Sequence, residues 1–473
     1  MKRFICALSA GVLIAGAAFA DDLQGEFINF TLENPAIYPG TVRTVQVYVP
    51  KAYSSARPAC LTVMMDGLLN SGLKVMDELA QQGKMPLCIS VGLISGRISD
   101  AQGNIVRYNR SNEFDRMDDR MARFIMEEVI PEVCKRTTSS GDRIVISPDA
   151  TDHAIMGGSS GGITAFNAAF CRPDLFSRVY CWVGTFVPFR GGDQFPGLVR
   201  KTEPRPIRVY LQDNDKDSWN LTFGSWYEYN RIMESALEFA GYEAAFHWDE
   251  GGHSGSNAVK LFPDALQFIW DGWPQAPSKG KTGNGTLNAV LDPASDWTEL
   301  NVDIPENAYL APYSPQEVLI CGLKEAKTVS PSGKTATGLK TPVFDPYEAI
   351  YPGGAFVATA DPLSNWVKTA ILKEDGSRDF EQEFYWLHCN GGQIAFDSEG
   401  YLYVATKMGV QLCDQNGRVR AILPLPSGEV SSLAFAGNNI FVISKNRLFV
   451  RKLLRSGVAD AFKTPAPKSE GQG

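Results

Sequence analysis

Residues 154–162 read AIMGGSSGG, an apolar run that passes directly into glycines and serines. Small residues recur over the following ten positions, as in a helix that packs closely against its neighbours. The pattern Gly-x-Ser-x-Gly between a strand and a helix is typical of a sharp, strained turn that lifts the serine above the edge of a sheet. Ser160 also fits the pattern. Ser159 directly follows the Gly-Gly pair and leaves Ser160 to donate its backbone N–H, so Ser159 is the predicted nucleophile.

A nucleophilic serine needs a base, and the chain has four histidines. His153 precedes the serine at the start of its strand and is expected to be structural. His247 lies within a strand between two aromatic residues, and His388 lies much further along, beyond a linker-like segment. His253 follows a Gly-Gly pair on a loop between the last strand and the last helix of the first half of the chain. Position and elimination make His253 the predicted base.

The acid of such a triad should follow a strand that lies between the serine and the histidine, which is the chain order of α/β-hydrolases. Residues 207–211 form that strand, and the loop after it holds three aspartates, Asp213, Asp215 and Asp217. The carboxylate has to orient the imidazole and stabilise the imidazolium. Spacing alone does not choose among the three.

Two backbone N–H groups are expected to stabilise the oxyanion. One belongs to Ser160, because the N-terminus of the helix after the nucleophile favours a developing negative charge. The other should come from the loop after an earlier strand, which reads MMDGLL at residues 64–69. Gly67 permits the turn there, so the N–H of Gly67 or Leu68 is the predicted second donor.

The first half of the chain alternates strand-like and helix-like segments, which predicts a mostly parallel sheet covered by helices. The predicted strands are residues 44–49, 61–65, 87–94, 154–156, 178–183, 207–211 and 244–248. The predicted helices are residues 116–133, 227–240 and 261–270. After a segment rich in Pro, Gly, Ser and Lys, the chain becomes nearly all short strands and turns, with a repeat of about forty residues in roughly four copies. This repeat predicts a propeller-like all-β region, small or incomplete.

The first twenty residues carry a positive start, an apolar run and an Ala-Phe-Ala site, which together predict a cleaved bacterial-type signal peptide and a periplasmic or secreted protein. The formal net charge of −8 argues against nucleic acid or an anionic membrane as partner. The nine cysteines form no Cys-x-x-Cys pair, so no thiolate metal site is predicted, and those in apolar strands are expected to be buried thiols.

These observations divide the 473 residues into five predicted segments. They are a signal peptide at 1–20, an α/β-hydrolase domain at 21–272, a linker at 273–288, a propeller-like domain at 289–456 and a disordered tail at 457–473.

Taken together, the motifs resemble the esterase D-like family, which contains feruloyl and acetyl-xylan esterases and siderophore (enterochelin) esterases. The resemblance spans about residues 30–272 and rests on ordered stretches: MMDG at 64–67, NRSNEFD at 109–115, MGGSSGG at 156–162, LQD at 211–213, FAGY at 239–242 and GGH at 251–253. It implies Ser159 as nucleophile, His253 as base and Asp217 as acid, with Asp215 in reserve.

The resemblance also bears on residues around the site. It implies that Arg110 and Glu113 brace a site loop through an ion pair rather than contact substrate, and Trp226 is a further candidate for either role. The C-terminal half resembles gluconolactonase-like propellers more loosely. Those enzymes hold a divalent metal, but the position of their acidic ligand falls on Gly392, so no working metal site is predicted.

The implied activity is that of an exported serine esterase that forms an acyl-enzyme and removes acetyl or feruloyl groups from polysaccharides, with no cofactor and no metal. The implied partner is an acylated carbohydrate or another small ester, with no nucleic acid and no membrane span. Three alternatives stay open: a siderophore trilactone esterase, a metal-dependent lactonase acting through the propeller, and a sugar-binding module whose hydrolase domain is a passive scaffold.

Overall fold

The computed structural model describes residues 23–426 and 428–458. The predicted signal peptide and residues 459–473 of the predicted tail lie outside the described residues. The chain divides into two compact units that alternate along the sequence, whereas the predicted domain bounds are continuous. The first unit runs to Phe195 and continues with Pro206–Glu234 and Glu243–Lys279. The second unit contains Pro196–Arg205, Ser235–Tyr242 and the chain from Gly280 onward.

The first unit is built on one large sheet with helices on its faces. Its strands, in chain order, are β1 (Glu26–Glu33), β2 (Val42–Val49), β3 (Cys60–Met65), β4 (Cys88–Leu93), β5 (Arg97–Ser99), β6 (Ile105–Tyr108), β7 (His153–Gly158), β8 (Arg178–Trp182), β9 (Arg208–Asn214), β10 (Trp219–Asn220), β11 (Gly224–Ser225) and β12 (Glu243–Asp249). The short β10 and β11 form a separate hairpin.

The α-helices of the described chain, in order, are α1 (Asn70–Gln81), α2 (Arg110–Phe114), α3 (Arg120–Arg123), α4 (Ile130–Val133), α5 (Ser160–Cys171), α6 (Phe195–Lys201), α7 (Trp226–Phe239), α8 (Ser256–Lys260), α9 (Phe262–Trp270) and α10 (Gly285–Val290). The predicted helix 116–133 is broken into α3, a π-helical segment Phe124–Val129 and α4. Pro131 lies in the first turn of α4, and because proline has no N–H it cannot continue the regular hydrogen-bond ladder there. The predicted linker likewise contains most of α10.

The large sheet has the order β12-β9-β8-β7-β3-β4-β2-β5-β6, with β1 paired to β2. From β12 to β4 every pairing is parallel, and β2, β5, β6 and β1 pair antiparallel. All seven predicted strands are present, and the prediction of an α/β fold with a mostly parallel sheet is confirmed. In such a sheet the loops after parallel strands meet at one edge, where ligands bind.

Apolar side chains cover both faces of the parallel centre. On one face, α1 and α9 contribute Leu73, Met76 and Phe262 to a cluster with strand residues such as Met156 and Tyr180. The other face carries a cluster of phenylalanine rings whose members are Phe166, Phe170, Phe186 and Phe195. Burial on both faces explains why these strands read as continuous apolar runs rather than as alternating ones.

Apart from its helical segments, the second unit consists of β-strands. These are β13 (Thr298–Leu300), β14 (Tyr309–Pro312), β15 (Val318–Cys321), β16 (Glu325–Val329), β17 (Thr335–Lys340), β18 (Glu348–Ile350), β19 (Phe356–Ala360), β20 (Trp366–Leu372), β21 (Arg378–Trp386), β22 (Gly391–Phe396), β23 (Leu402–Thr406), β24 (Gly409–Cys413), β25 (Val419–Leu423), β26 (Ser432–Ala436), β27 (Asn439–Ser444) and β28 (Arg447–Lys452). The prediction of an all-β C-terminal region is confirmed.

These strands form four antiparallel sheets of four strands each among the described residues. Three sheets use consecutive strands, β14–β17, β18–β21 and β22–β25, whereas the fourth has the order β13-β28-β27-β26. The first strand of the unit therefore pairs with the last one. The predicted repeat of about forty residues corresponds to the recurrence of β15, β19, β23 and β27, each of which pairs with the strand before it in the chain.

A buried polar contact joins three of the four sheets. Gln393 on β22 donates from Nε2 to the backbone oxygen of Leu310 on β14 at 2.7 Å and accepts a hydrogen bond from the hydroxyl of Ser432 on β26. The same Ser432 hydroxyl accepts from the Leu310 N–H at 2.7 Å. The strands β14, β22 and β26, which begin three of the repeats, thus come together at one place.

None of the eight cysteines in the described chain forms a disulfide. The prediction that Cys88 and Cys321 lie buried within apolar strands is confirmed, since their exposed fractions are 3% and 0%. Among the residues that the structure describes, no helix has the length and apolar character needed to cross a bilayer.

Candidate active site

Ser159 lies at the sharp turn between β7 and α5, at the edge of the sheet where the parallel strands end. Its backbone has φ 56° and ψ −124°, a strained conformation that residues other than glycine rarely adopt. Two glycines before it make the turn feasible. A Cβ at Gly157 would come within 2.6 Å of the backbone of Gly161, and one at Gly158 would collide with the Trp182 ring. The Gly-x-Ser-x-Gly pattern therefore has a steric cause in this chain.

The structure brings the three predicted triad residues together. The Ser159 hydroxyl lies 2.9 Å from His253 Nε2, and His253 Nδ1 lies 2.5 Å from Asp217 Oδ1. The partners imply a neutral imidazole that donates from Nδ1 to the carboxylate and accepts from the serine at Nε2. The His253 side chain is 31% exposed, whereas the Asp217 side chain is completely buried. A proton can thus pass from serine to an accessible base held by a buried acid.

The loop after β9 separates the three candidate acids by position. Asp217 also accepts the N–H of Ser218, so its carboxylate is fixed from two sides. Asp215 is exposed and accepts the Gly251 N–H at 3.0 Å. Asp213 lies at the end of β9, is fully buried and accepts the N–H of Asn214 at 2.6 Å. The geometry therefore favours Asp217 as the triad acid.

Ser160, the other serine of the turn, has a different environment. It is the first residue of α5 and only 4% exposed. It lies near the Asp115 carboxyl, and burial raises the pKa of that carboxyl. The described contacts pair His253 with the hydroxyl of Ser159, so the geometry leaves Ser160 its backbone N–H as its contribution to the site.

Two further residues support the nucleophile, and the sequence analysis missed the first of them. Thr185, 2% exposed, lies with Oγ1 3.3 Å from Ser159 Oγ, and its N–H donates to the Ser159 carbonyl at 3.2 Å. Trp226 donates from Nε1 to Thr185 Oγ1 at 3.2 Å, and its ring stands edge-on to the His253 ring with centroids 6.1 Å apart. Trp226 thus contacts the site and braces it at the same time.

Asn214 was also missed. Its side-chain Nδ2 donates to the backbone oxygens of Gly252 at 2.8 Å and Ser254 at 3.3 Å, on both sides of the base. Its Oδ1 accepts from Gln212 and Asn257, each at 2.9 Å. This amide holds the loop that carries His253, and no local pattern in the sequence indicates such a pairing.

The predicted oxyanion loop has a strained backbone, and one of its two candidate N–H donors already has another acceptor. Asp66 and Gly67 both have positive φ, 67° and 109°. The Leu68 N–H already donates to Oε1 of Gln46 at 2.9 Å. Because Gln46 occupies that N–H, Gly67 is the better candidate for the second oxyanion donor. Gln46, on β2, is a residue that sequence reasoning did not single out.

Arg110 and Glu113 do not pair with each other, which corrects the expectation of one bracing ion pair. Arg110 makes a two-pronged pair with Asp66, at 2.8 and 2.6 Å, where both side chains are about one-third exposed. Glu113 accepts from Arg43 at 2.6 and 2.9 Å, and both of these side chains are completely buried. The sequence could not show this because Arg43 lies 70 positions away.

Glu113→Gln should lower the free energy of unfolding by about 3–5 kcal/mol, because it leaves the buried Arg43 guanidinium without a counter-charge. The measurement is chemical denaturation followed by circular dichroism. The matched control is Glu127→Gln, which removes an exposed partner of Arg123 and should cost less than about 1 kcal/mol. Equal effects from the two variants would contradict the assigned role of Glu113.

The other histidines lie in different surroundings. His153 is completely buried, and both ring nitrogens lie 2.7 Å from backbone oxygens, those of Leu175 and Ser147. His247 lies 3.2 Å from Asp249, and burial together with Lys201 lowers the pKa of His388 in the second unit to about 4. Among the described residues, no group of three or more His, Cys, Asp or Glu side chains could hold a metal ion.

Residues 38–254 match a protein-family model described as a putative esterase. This region contains every residue of the candidate triad, and the predicted resemblance to esterases is confirmed over it. The chain is accordingly an enzyme of the carboxylic ester hydrolase class. No curated protein matches the sequence.

Several solved structures are similar to about half of the chain. One is a ferulic acid esterase, 18% identical with a TM-score of 0.40, covering 52% of this chain and 99% of its own. Another is the enterobactin esterase of Shigella flexneri, 16% identical with a TM-score of 0.39, covering 52% of this chain and 60% of its own. A third is a ferulic acid esterase of the anaerobic fungus Anaeromyces mucronatus, 16% identical with a TM-score of 0.39, covering 52% and 91%.

Proposed function

We propose that the chain is a serine esterase that works through an acyl-enzyme on Ser159. The observation that carries this proposal is the unbroken line of hydrogen bonds from Ser159 through His253 to Asp217, at 2.9 and 2.5 Å. Ser159 Oγ attacks the ester carbonyl carbon while His253 Nε2 accepts the hydroxyl proton. The tetrahedral intermediate then expels the alcohol, which takes that proton from the imidazolium.

The acyl-enzyme is hydrolysed by the same groups. His253 removes a proton from water, the hydroxide oxygen attacks the acyl carbon, and the proton returns to Ser159 Oγ as the acid leaves. In both halves the carbonyl oxygen becomes an oxyanion beside the N-terminus of α5. The N–H groups of Ser160 and Gly67 are proposed to stabilise it.

The surroundings of the base support an aromatic acyl group over acetyl. The Trp226 ring stands against His253, Phe189 stands edge-on to Trp226 with centroids 6.4 Å apart, and Phe223 lies 4.7 Å from Phe189. The rings of Phe189 and Phe223 are partly exposed. Aromatic rings prefer edge-to-face contact with other rings. A feruloyl-type ester of a polysaccharide is therefore the proposed substrate, in keeping with the predicted export of the protein.

We further propose that the four sheets of the second unit are the blades of a small propeller. The pairing of β13 with β28 would close the ring by completing the last blade with the first strand. The contacts of Gln393 with Leu310 and Ser432 support a common axis for β14, β22 and β26, which begin three of the proposed blades. The proposed role of this unit is to dock a carbohydrate chain rather than to hydrolyse a lactone.

A substrate panel tests the proposed specificity. The enzyme should release ferulate from feruloylated xylan with kcat/KM at least tenfold above that for acetate release from acetylated xylan. Phe189→Leu should raise KM for the aryl substrate more than for the acetyl one, because only the aryl group reaches the rings. Preferred hydrolysis of an iron-bound catechol trilactone would favour a siderophore substrate over a polysaccharide. Preferred release of acetate would contradict the proposal of an aromatic acyl group.

A further inference from the structure

Two buried carboxyl groups lie side by side behind the catalytic histidine. Asp213, at the end of β9, is completely buried, and Asp217, four residues later, has a completely buried side chain. The two side chains are within hydrogen-bonding reach of each other. We call Asp213 and Asp217 the acid pair. Only Asp217 has a role in the triad described above, so the presence of Asp213 beside it needs an explanation.

The hydrogen bonds of the acid pair leave acceptors without donors. Oδ1 of Asp213 accepts the Asn214 N–H, and Oδ1 of Asp217 accepts from His253 and Ser218. Oδ2 of each aspartate is buried and has no donor among the described residues. Two bare carboxylates only accept, so neither can satisfy the other. One proton held between the two Oδ2 atoms would satisfy both.

The other side chains packed against Asp213 supply no positive charge in the described contacts. Asn230 on α7 lies beside Asp213. Its Nδ2 donates hydrogen bonds to the backbone oxygens of Gly184 and Trp226. Its buried Oδ1 has no donor in the described chain. Cys181 on β8 lies near Asp213, and burial raises the pKa of its thiol well above the ordinary range. The neighbours are therefore neutral groups, which disfavours two adjacent negative charges.

We propose that Asp213 is a positioning residue that stays protonated and donates its hydrogen to Oδ2 of Asp217, so that the triad acid is a carboxylic acid–carboxylate pair with a single negative charge. This inference rests on the proposed function. The bond fixes the rotation of the Asp217 carboxylate and directs Oδ1 at His253 Nδ1. The acid pair then presents one negative charge, rather than two, to the imidazolium that forms during catalysis.

The titration of Asp213 agrees with this arrangement. Burial, and then the neighbouring Asp217 carboxylate, raise the pKa of the Asp213 carboxyl to about 9. The unfolded chain ionises this group near pH 4, whereas the folded chain keeps the proton up to about pH 9. The unfolded state thus binds fewer protons between these values. Stability is therefore lost as pH rises through that window, which gives a readout that does not depend on catalysis.

The kinetic test compares Asp213→Asn and Asp213→Ala with the wild type across pH. The asparagine keeps an N–H donor at the position of the acid proton and should hold kcat within about threefold of the wild type. The alanine leaves Oδ2 of Asp217 unpaired and should lower kcat by roughly 10- to 100-fold with KM little changed. The acid limb of the kcat/KM profile should have the same midpoint in the wild type and in Asp213→Asn, because both have one negative charge behind His253.

A downward shift of that midpoint by half a pH unit or more in Asp213→Asn would overturn the proposal, since it would mean that a second charge had been removed. The stability readout is the midpoint of thermal unfolding between pH 5 and pH 8. The unfolding midpoint of Asp213→Asn should rise relative to that of the wild type as pH rises, by several degrees at pH 8. A difference between the two midpoints that does not change with pH would also overturn the proposal. Asp174→Asn, at an exposed ion pair away from the triad, is the control for loss of one carboxylate.

Failure of this inference is distinguishable from failure of the proposed function. If Ser159→Ala keeps full turnover, the serine esterase proposal fails, while the unfolding experiment still reports whether Asp213 holds a proton. If Ser159→Ala is inactive and Asp213→Asn shifts the acid limb of the pH profile, the esterase proposal stands. Only the proposal of a proton shared by Asp213 and Asp217 then fails.

Discussion

Replacement of Ser159 by alanine should lower kcat/KM for an aryl ester by about 10⁴-fold or more, with the folded state intact. The substitution removes the one oxygen that lies 2.9 Å from His253 Nε2. Without it the imidazole has no hydroxyl to deprotonate, and only binding and oxyanion stabilisation are left to accelerate hydrolysis. Alanine adds no atom to the strained turn, so the unfolding temperature should change little. The measurement is steady-state hydrolysis together with thermal unfolding.

Ser160→Ala is the matched control for this experiment. It removes a neighbouring hydroxyl but keeps the backbone N–H that is proposed to face the oxyanion, so it should cost less than about tenfold. If Ser160→Ala were the inactive variant, the register of the Gly-x-Ser-x-Gly motif would be wrong by one residue. If activity survived Ser159→Ala but disappeared with a chelator, a metal-dependent lactonase would replace the serine esterase.

The sheet and the elbow could be predicted because their causes are local. Strands buried on both faces are continuous apolar runs, and the sharp turn at Ser159 requires glycine where a Cβ would meet the Gly161 backbone or the Trp182 ring. The positions of Ser159 and His253 follow from the order of such elements along the chain. Their meeting at one edge of the sheet follows from parallel strand order, which is why residues 94 positions apart could be paired.

The supporting contacts could not be predicted because they join distant positions without a periodic pattern. Gln46 lies on an antiparallel strand and reaches across to the Leu68 N–H, and Arg43 reaches Glu113 over 70 positions. In the sequence, Arg110 and Glu113 are three residues apart and invite a local ion pair. The folded chain gives each a different partner, because Glu113 is turned into the core and Arg110 stays near the surface.

The choice of acid shows the same limit on a smaller scale. Spacing alone gives Asp213, Asp215 and Asp217 equal standing, since all three follow the predicted strand at 207–211. The folded chain makes one of them exposed and buries the other two. Burial of Asp213 is caused by its place on β9, with β8 and β12 on either side. Distance to His253, rather than sequence position, then distinguishes Asp217.

Asp217→Asn should lower kcat by about 10⁴-fold while KM changes little. The His253 Nδ1–H donates to Asp217 Oδ1, 2.5 Å away, and the carboxylate stabilises the imidazolium that forms when Ser159 loses its proton. An asparagine amide has no charge and can turn its own N–H toward Nδ1. The imidazole would then carry its proton on Nε2, where it could no longer accept the Ser159 proton.

Asp215→Asn is the matched control, since it removes a carboxylate two residues away on the same loop. Asp215 is exposed and bonds only the Gly251 N–H among the described contacts, so its replacement should cost less than about tenfold. The comparison uses kcat for one aryl ester at a pH where the wild type is fully active. A larger loss in Asp215→Asn than in Asp217→Asn would transfer the role of triad acid to Asp215, and the buried acid pair would then lie outside the catalytic chain of hydrogen bonds.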